Sequence, residues 1–387
     1  MNPGERFLEL AARIGGISHR VLENFFYVNS PFGLENWTLN IIELVMIVAA
    51  ALGLAHAITV WRRCGDGSYV GVWAAAAVYC IAIEVPIYFL PSALGLDDGA
   101  VIFIHNEFTA GAFFGRMPLY ILALYPALLY PAYVLVRQRG LFDGRWGLIR
   151  GAICVGVAHH CFYEVFDHLG PQLKWWIWDY ELPGMGDIGL ASVPLFSLVN
   201  FSLVNPIAFA VLAHALLGRR FGAATGRRRP RLAAVAGRSL LAGVLTPALG
   251  ALLSVNLMLS RMGLENRSVI ATLGWVIAVF AVVVAFTSFW RTRSRPLHID
   301  GGPGFPTTYP AIFGVGYLVC LAALWTVALG DYLAAGGGVT ADGTPVGSLR
   351  YALVCTVACA WLITPYRTLH RHVLSGRVNP PRQVTSA

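Results

Sequence analysis

Residues 268–290 read SVIATLGWVIAVFAVVVAFTSFW, with no ionisable side chain in the run. A helix rises 1.5 Å per residue, so about 20 such residues cross the roughly 30 Å hydrocarbon core of a bilayer. Eight further apolar runs share this reading: 38–61, 69–92, 113–136, 146–168, 189–217, 233–259, 310–330 and 348–366. The composition agrees. Of 387 residues, 57% are apolar and 12% charged, about half the charged fraction of a soluble domain. Too little polar surface is available to cover a globule in water. The sequence therefore predicts an all-α, polytopic membrane helix bundle of about nine transmembrane helices.

The loops predict its orientation. Arg62 and Arg63 follow the first run, Arg137 to Arg150 the third, Arg219 to Arg231 the fifth, Arg291 to Arg295 the seventh and Arg367 to Arg382 the ninth. Between them lie acidic loops with Asp97, Asp98 and Glu107, then Asp167, Asp179, Glu181 and Asp187, then Asp331 and Asp342. Cytoplasmic loops collect Arg and Lys, which places the N-terminus outside and the C-terminus in the cytoplasm of a cell-membrane protein. The net charge of +8 thus anchors loops. No zinc spacing or RNA-binding signature accompanies it, so no nucleic-acid partner is expected.

Residues 1–37 differ from the rest. Glu5, Arg6, Glu9, Arg13, Arg20 and Glu23 interleave with Phe7, Leu8, Leu10, Ile14, Ile17, Val21, Leu22 and Phe25. This helical amphipathicity predicts a segment lying on the membrane surface, and the early Glu5 argues against a secretory signal. The remainder divides into a five-helix half (38–218), a basic linker (219–232), a four-helix half (233–366) and a cytoplasmic tail (367–387). The halves show no internal repeat, unlike many transporters. The seven cysteines are scattered without a Cys-x-x-Cys pair, as for buried thiols.

Ionisable residues in hydrocarbon cost about 2.5–3.5 kcal/mol each on insertion scales and so point to function. Glu43, His56, Glu84, Arg116, His159, His160, Glu164 and His214, with Asn200 and Asn205, all lie in the first five runs. Most fall in the outer half of the membrane. The densest stretch is His159-His160-Cys161-Phe162-Tyr163-Glu164-Val165-Phe166-Asp167-His168. Residues three and four apart share a helix face, so Glu164, Asp167 and His168 converge on one centre. That set, completed by Glu84, His105 or Glu107, suits one divalent transition metal. A bland reading competes with it: a solvated, interfacial helix end.

The expected function is an integral membrane enzyme acting on an apolar or amphipathic molecule, an isoprenoid or lipid, by carboxylate–histidine acid–base chemistry. Cyclase, hydratase and isomerase chemistry all fit, with metal assistance as a variant. A carboxyl group in a low dielectric holds its proton and becomes a general acid. Glu84 and Glu164 are the expected acid and base, with His160 orienting them and Arg116 balancing charge. Arg116 reads equally well as the structural ion-pair partner of Glu84. Tyr120, Trp175, Trp176, Trp178 and Asn200 are the expected substrate contacts, although the tryptophans also suit an interfacial belt. The alternatives are a proton- or cation-coupled transporter relaying through Glu43, Glu84 and Glu164, and a non-catalytic scaffold subunit. No hydrolase elbow, Walker loop, zincin motif or dinucleotide fingerprint is present.

Overall fold

The computed structural model describes residues 3–94, 100–182, 185–186, 188–218, 231–261, 266–298, 300, 302 and 304–364. The Arg219–Arg229 cluster, Asp97, Asp98, Asp187 and the tail from 365 lie outside the described residues. Two short helices, α1 (Pro3–Arg13) and α2 (His19–Glu23), precede the bundle. The long helices are α3 (Trp37–Cys64), α4 (Ser68–Phe89), α5 (Leu119–Gln138), α6 (Gly147–Asp167) and α7 (Phe196–Gly218). They continue with α8 (Leu232–Leu253), the short α9 (Val255–Arg261), α10 (Arg267–Thr292), α11 (Phe305–Ala334) and α12 (Leu349–Ile363).

Seven of these are long and apolar enough to cross a membrane: α3, α4, α5, α7, α8, α10 and α11. The chain is a multi-pass membrane helix bundle. Helix α6 has the length but too polar a sequence to be counted with the seven, because it is the hub that carries the histidine–carboxylate stretch. It packs against α5, α7, α10 and α12. Helix α12, with 15 residues, is short. Burial separates inner from outer helices. Helix α5 is 83% buried along its most apolar window and α10 only 22%. The exposed face of α10 presents Val276, Val279, Phe280, Val283 and Phe286, a continuous apolar stripe that water would not tolerate and lipid does.

Close approach between helices depends on glycine at Gly156. A Cβ there would lie 2.4 Å from Ile207 Cγ1 and 2.8 Å from the Leu203 carbonyl oxygen. The backbones of α6 and α7 meet because α6 has no side chain at that point.

Short strands cap one end of the bundle: β1 (Phe26–Val28), β2 (Phe103–His105), β3 (Ala110–Ala112), β4 (Met117–Pro118), β5 (Trp176–Trp178), β6 (Gly189–Leu190) and β7 (Val193–Pro194). β1, β3 and β4 form one antiparallel sheet, β2 pairs with β5, and β6 with β7. These strands correct two expected boundaries. The run from 113 contains the β3–β4 turn, so α5 begins only at Leu119, and the run from 189 opens with the β6–β7 hairpin. Arg116 therefore sits in a turn before α5, not inside a membrane helix.

The N-terminal segment also departs from expectation. Its apolar face is buried in the protein: Phe7, Leu10, Ala11 and Ile14 pack with Val101, Ile104 and Ile177. Arg6 clasps Asp179 and Glu9, and Arg13 reaches Glu9 at 2.8 Å. An amphipathic helix needs only an apolar partner, and here the β2–β5 pair supplies it.

Candidate functional site

Strand periodicity organises the site. β2 and β5 run antiparallel with Phe103 opposite Trp178, Ile104 opposite Ile177 and His105 opposite Trp176. Alternate residues face opposite sides of a strand. Ile104 and Ile177 consequently meet the N-terminal helix, while Phe103, His105, Trp176 and Trp178 turn together into the bundle and line a cavity.

Helices close the other walls at helical spacing. Glu84 and Ile87 come from α4, and Tyr120, Ile121, Leu124 and Tyr125 from α5. Tyr163 and Phe166 come from α6, and Phe196 and Phe201 from α7. The α7 pair is five residues apart, which would splay it across an α-helix. Phe196–Val204 is π-helical, and the wider i→i+5 turn brings both rings to the same wall. The cavity measures about 30 Å³, room for little more than water.

Glu84 is buried, and its Oε1 accepts the Tyr125 hydroxyl at 2.5 Å. Its Oε2 makes no hydrogen bond, although the Tyr88 hydroxyl lies alongside the carboxyl. Across the same cavity His105 Nδ1 bonds the Tyr120 hydroxyl at 2.9 Å, and Nε2 is without a partner. The indole N–H groups of Trp176 and Trp178 are likewise buried and unpartnered. Burial alone pushes His105 down to about 3, so its imidazole is neutral at ordinary pH. Four unsatisfied polar atoms on the residues of one aromatic cavity are unusual, since buried polar groups nearly always have partners.

Several predicted residues lie elsewhere. Glu164 follows Tyr163 by one residue, about 100° around the helix, and so faces away from the cavity. It sits between His160 Nδ1 and His168 Nε2, each 3.5 Å away. His160 also bonds Ser202 Oγ and the Tyr351 hydroxyl, each at 2.7 Å. His168 Nδ1 accepts the backbone N–H of Ser348 at 3.1 Å, which leaves the proton on Nε2, toward Glu164. Asp167 and His168, expected at a solvated rim, are fully buried. Asp167 accepts the Ser197 hydroxyl at 2.6 Å. Among the described residues no three His, Cys, Asp or Glu side chains, Glu164, Asp167 and His168 included, are grouped to hold a metal ion. Glu107, another expected completing ligand, instead accepts Ser18 N at 2.6 Å and Asn29 Nδ2 at 2.7 Å.

Asn200 is also outside the cavity, exchanging amide hydrogen bonds with Asn256 at 3.0 and 3.2 Å. Trp175 is buried behind the wall, stacked on Phe166 and donating to Thr38 Oγ1 at 3.0 Å. Arg116 does not pair with Glu84. Its guanidinium lies over the rings of Phe7 and Phe89, at 4.6 and 5.5 Å. Glu43 accepts the backbone N–H and hydroxyl of Thr109. His56, between the Tyr130 hydroxyl (2.6 Å) and the Pro306 carbonyl (3.0 Å), is a satisfied core group. Of the expected residues, then, the cavity gathers Glu84, Tyr120, Trp176 and Trp178. His105 was expected only as a completing metal ligand, and Tyr125, Tyr163, Phe103, Phe196 and Phe201 were missed as site residues. The alternation in Phe103-Ile104-His105 and Trp176-Ile177-Trp178 was the available signal.

The family model described as "Domain of unknown function (DUF7802)" matches residues 31–297, and the chain belongs to that family. The matched segment contains every residue lining the cavity, whereas Tyr351 and Ser348, which hold His160 and His168, lie beyond it. No curated protein and no solved structure matches the chain.

Proposed function

We propose that the chain is a membrane-embedded acid–base enzyme whose site is the Glu84–His105 cavity and whose substrate is an apolar or amphipathic molecule taken from the bilayer. It crosses the cell membrane nine times in this reading, with α6 and α12 completing the seven longer spans and the N-terminus outside. The carrying observation is the pair of unpartnered atoms, Glu84 Oε2 and His105 Nε2, on residues lining one aromatic cavity. A carboxyl group and a neutral imidazole facing a shared space suit proton transfer at both ends of a double bond.

The step balances without a cofactor. Glu84 delivers its proton to one alkene carbon, and the neighbouring carbon becomes cationic. The faces of Trp176, Trp178, Tyr163 and Phe166 shelter that charge. His105 Nε2 removes a proton from the next carbon, the double bond forms one position along, and His105 returns the proton to Glu84. A weakly basic imidazole suffices, because a carbon beside a carbocation gives up its proton readily. With Nδ1–H donated to the Tyr120 oxygen, Nε2 carries the lone pair this requires.

At about 30 Å³ the cavity is too small for such a substrate, so the aromatic wall must part. Phe196 and Phe201 are the candidates, since π-helical hydrogen bonds are weaker and such segments recur at functional sites.

The test is solvent-proton exchange. The purified full-length protein, equilibrated in D₂O buffer, is incubated with total membrane lipid, and the lipids are read by mass spectrometry. The expected result is carbon-bound deuterium in a lipid species with wild-type protein. Glu84→Gln abolishes it and leaves the melting temperature unchanged. Equal incorporation with both proteins, or none with either, would sink the proposal. Proton-coupled transport, the second function considered, predicts uptake changes in Glu84→Gln without any deuterium in lipid carbon.

A further inference from the structure

Arg116 carries a charge that the catalytic reading leaves unused. It occupies the turn between β3 and β4, half-buried, with no carboxylate within ion-pair distance among the described residues. Neighbouring cations at this end behave differently: Arg6 holds Asp179, Arg13 holds Glu9, and Lys174 holds Asp342 at 2.7 Å. Burial lowers the proton affinity of Arg116 below the usual guanidinium value, and no carboxylate offsets it. The contacts of the guanidinium are the faces of Phe7 and Phe89, which leave the fork of N–H donors for an anion.

From that point aromatic rings run in two directions. Inward, Phe89 neighbours Tyr88 (6.5 Å), and Tyr88 lies 5.8 Å from Phe103, which lines the cavity. Outward, Phe89 meets Phe113 at 5.9 Å, and Phe113 meets Phe25 at 4.9 Å. Phe25 also meets Phe26 and Phe114, and all three are exposed, Phe26 at 73%. An exposed aromatic cluster continuous with a cation and a buried cavity has the pattern of an entry from the interfacial layer of a membrane.

We propose that Arg116 binds the anionic headgroup of a lipid-phase amphipath whose apolar body lies along Phe89, Tyr88 and Phe103 toward the Glu84 cavity. The inference rests on that cavity being the substrate site, and it narrows the substrate to a molecule with a carboxylate or phosphate at one end. Arg116 is a binding residue, one aromatic relay away from the reacting atoms.

The probe is a photoactivatable long-chain fatty acid with a diazirine on its tail, added to the full-length protein in neutral-lipid nanodiscs. The expected result is labelling of peptides carrying Phe89, Tyr88 or Phe103. Arg116→Gln weakens it about tenfold, the scale of a lost charge-assisted hydrogen bond, and Arg116→Lys restores part. Glu84→Gln keeps full labelling, which separates this binding from the proton chemistry. Competition by phosphatidic acid but not by free phosphate assigns the headgroup to a lipid. The proposal is overturned if the methyl ester labels as well as the acid, or if Arg116→Gln labels normally with an unchanged melting temperature. It is overturned too if Asp97→Asn/Asp98→Asn removes the effect of Arg116→Gln, since those loop carboxylates would then be its partners.

Discussion

A buried imidazole with one partner is a pH-sensitive element. His105 titrates near 3 when folded and near 6.5 when unfolded. Between those values the unfolded chain takes up a proton that the folded one refuses, so stability falls as pH drops through 6.5 toward 3. At pH 5 the loss from this residue is about 2 kcal/mol. In detergent the melting temperature of wild type should fall more steeply from pH 7 to 5 than that of His105→Asn, whose amide can still meet Tyr120. Parallel slopes would rule this out. Asn200 makes the complementary case. Its exchange of hydrogen bonds with Asn256 means that Asn200→Leu strands an amide at an interhelical contact, costing about 0.6–2 kcal/mol. The double change to Leu at both positions should recover part of that loss. Asn200 was legible in the sequence as a costly polar residue. Its partner was not, because Asn256 lies on the short α9, far along the chain.

Elements decide where a side chain points. On α6 the one-residue step from Tyr163 to Glu164 separates a cavity wall from the His160–Glu164–His168 ladder, which the sequence merged into one site. Strand alternation assembled Phe103, His105, Trp176 and Trp178, and the π-helical turn did the same for Phe196 and Phe201. The helices themselves were readable from apolar runs, but three-residue strands leave too short a pattern to separate from loop. The α6–α7 contact yields a test at this scale. Gly156→Ala puts a methyl group 2.8 Å from the Leu203 carbonyl oxygen, and should lower stability by about 1–3 kcal/mol, the usual cost of overpacking. Gly237, in α8 with open space where a Cβ would go, should tolerate alanine or gain from it. Melting both variants beside wild type checks the pair. Equal melting temperatures would mean that α6 and α7 have room to separate.

For the whole molecule the open prediction is topological. On the proposed nine-crossing topology, with the arginine-rich loops inside, an N-terminal epitope tag should be reached by antibody on intact cells, and a C-terminal tag only after permeabilisation. Two tags on the same side would mean an even number of crossings and would exclude either α6 or α12 as a span. Composition and hydropathy by themselves determined that this is a multi-pass membrane helix bundle, because the cost of exposing peptide groups and charges to hydrocarbon acts locally on each stretch of chain. They also located the expensive residues in the N-terminal half. Which of those residues share a cavity was decided only by the tertiary structure. Glu84 and His105 are brought to the wall of one cavity by helix rotation and strand pairing between distant segments, and no local free-energy cost in the sequence records that placement.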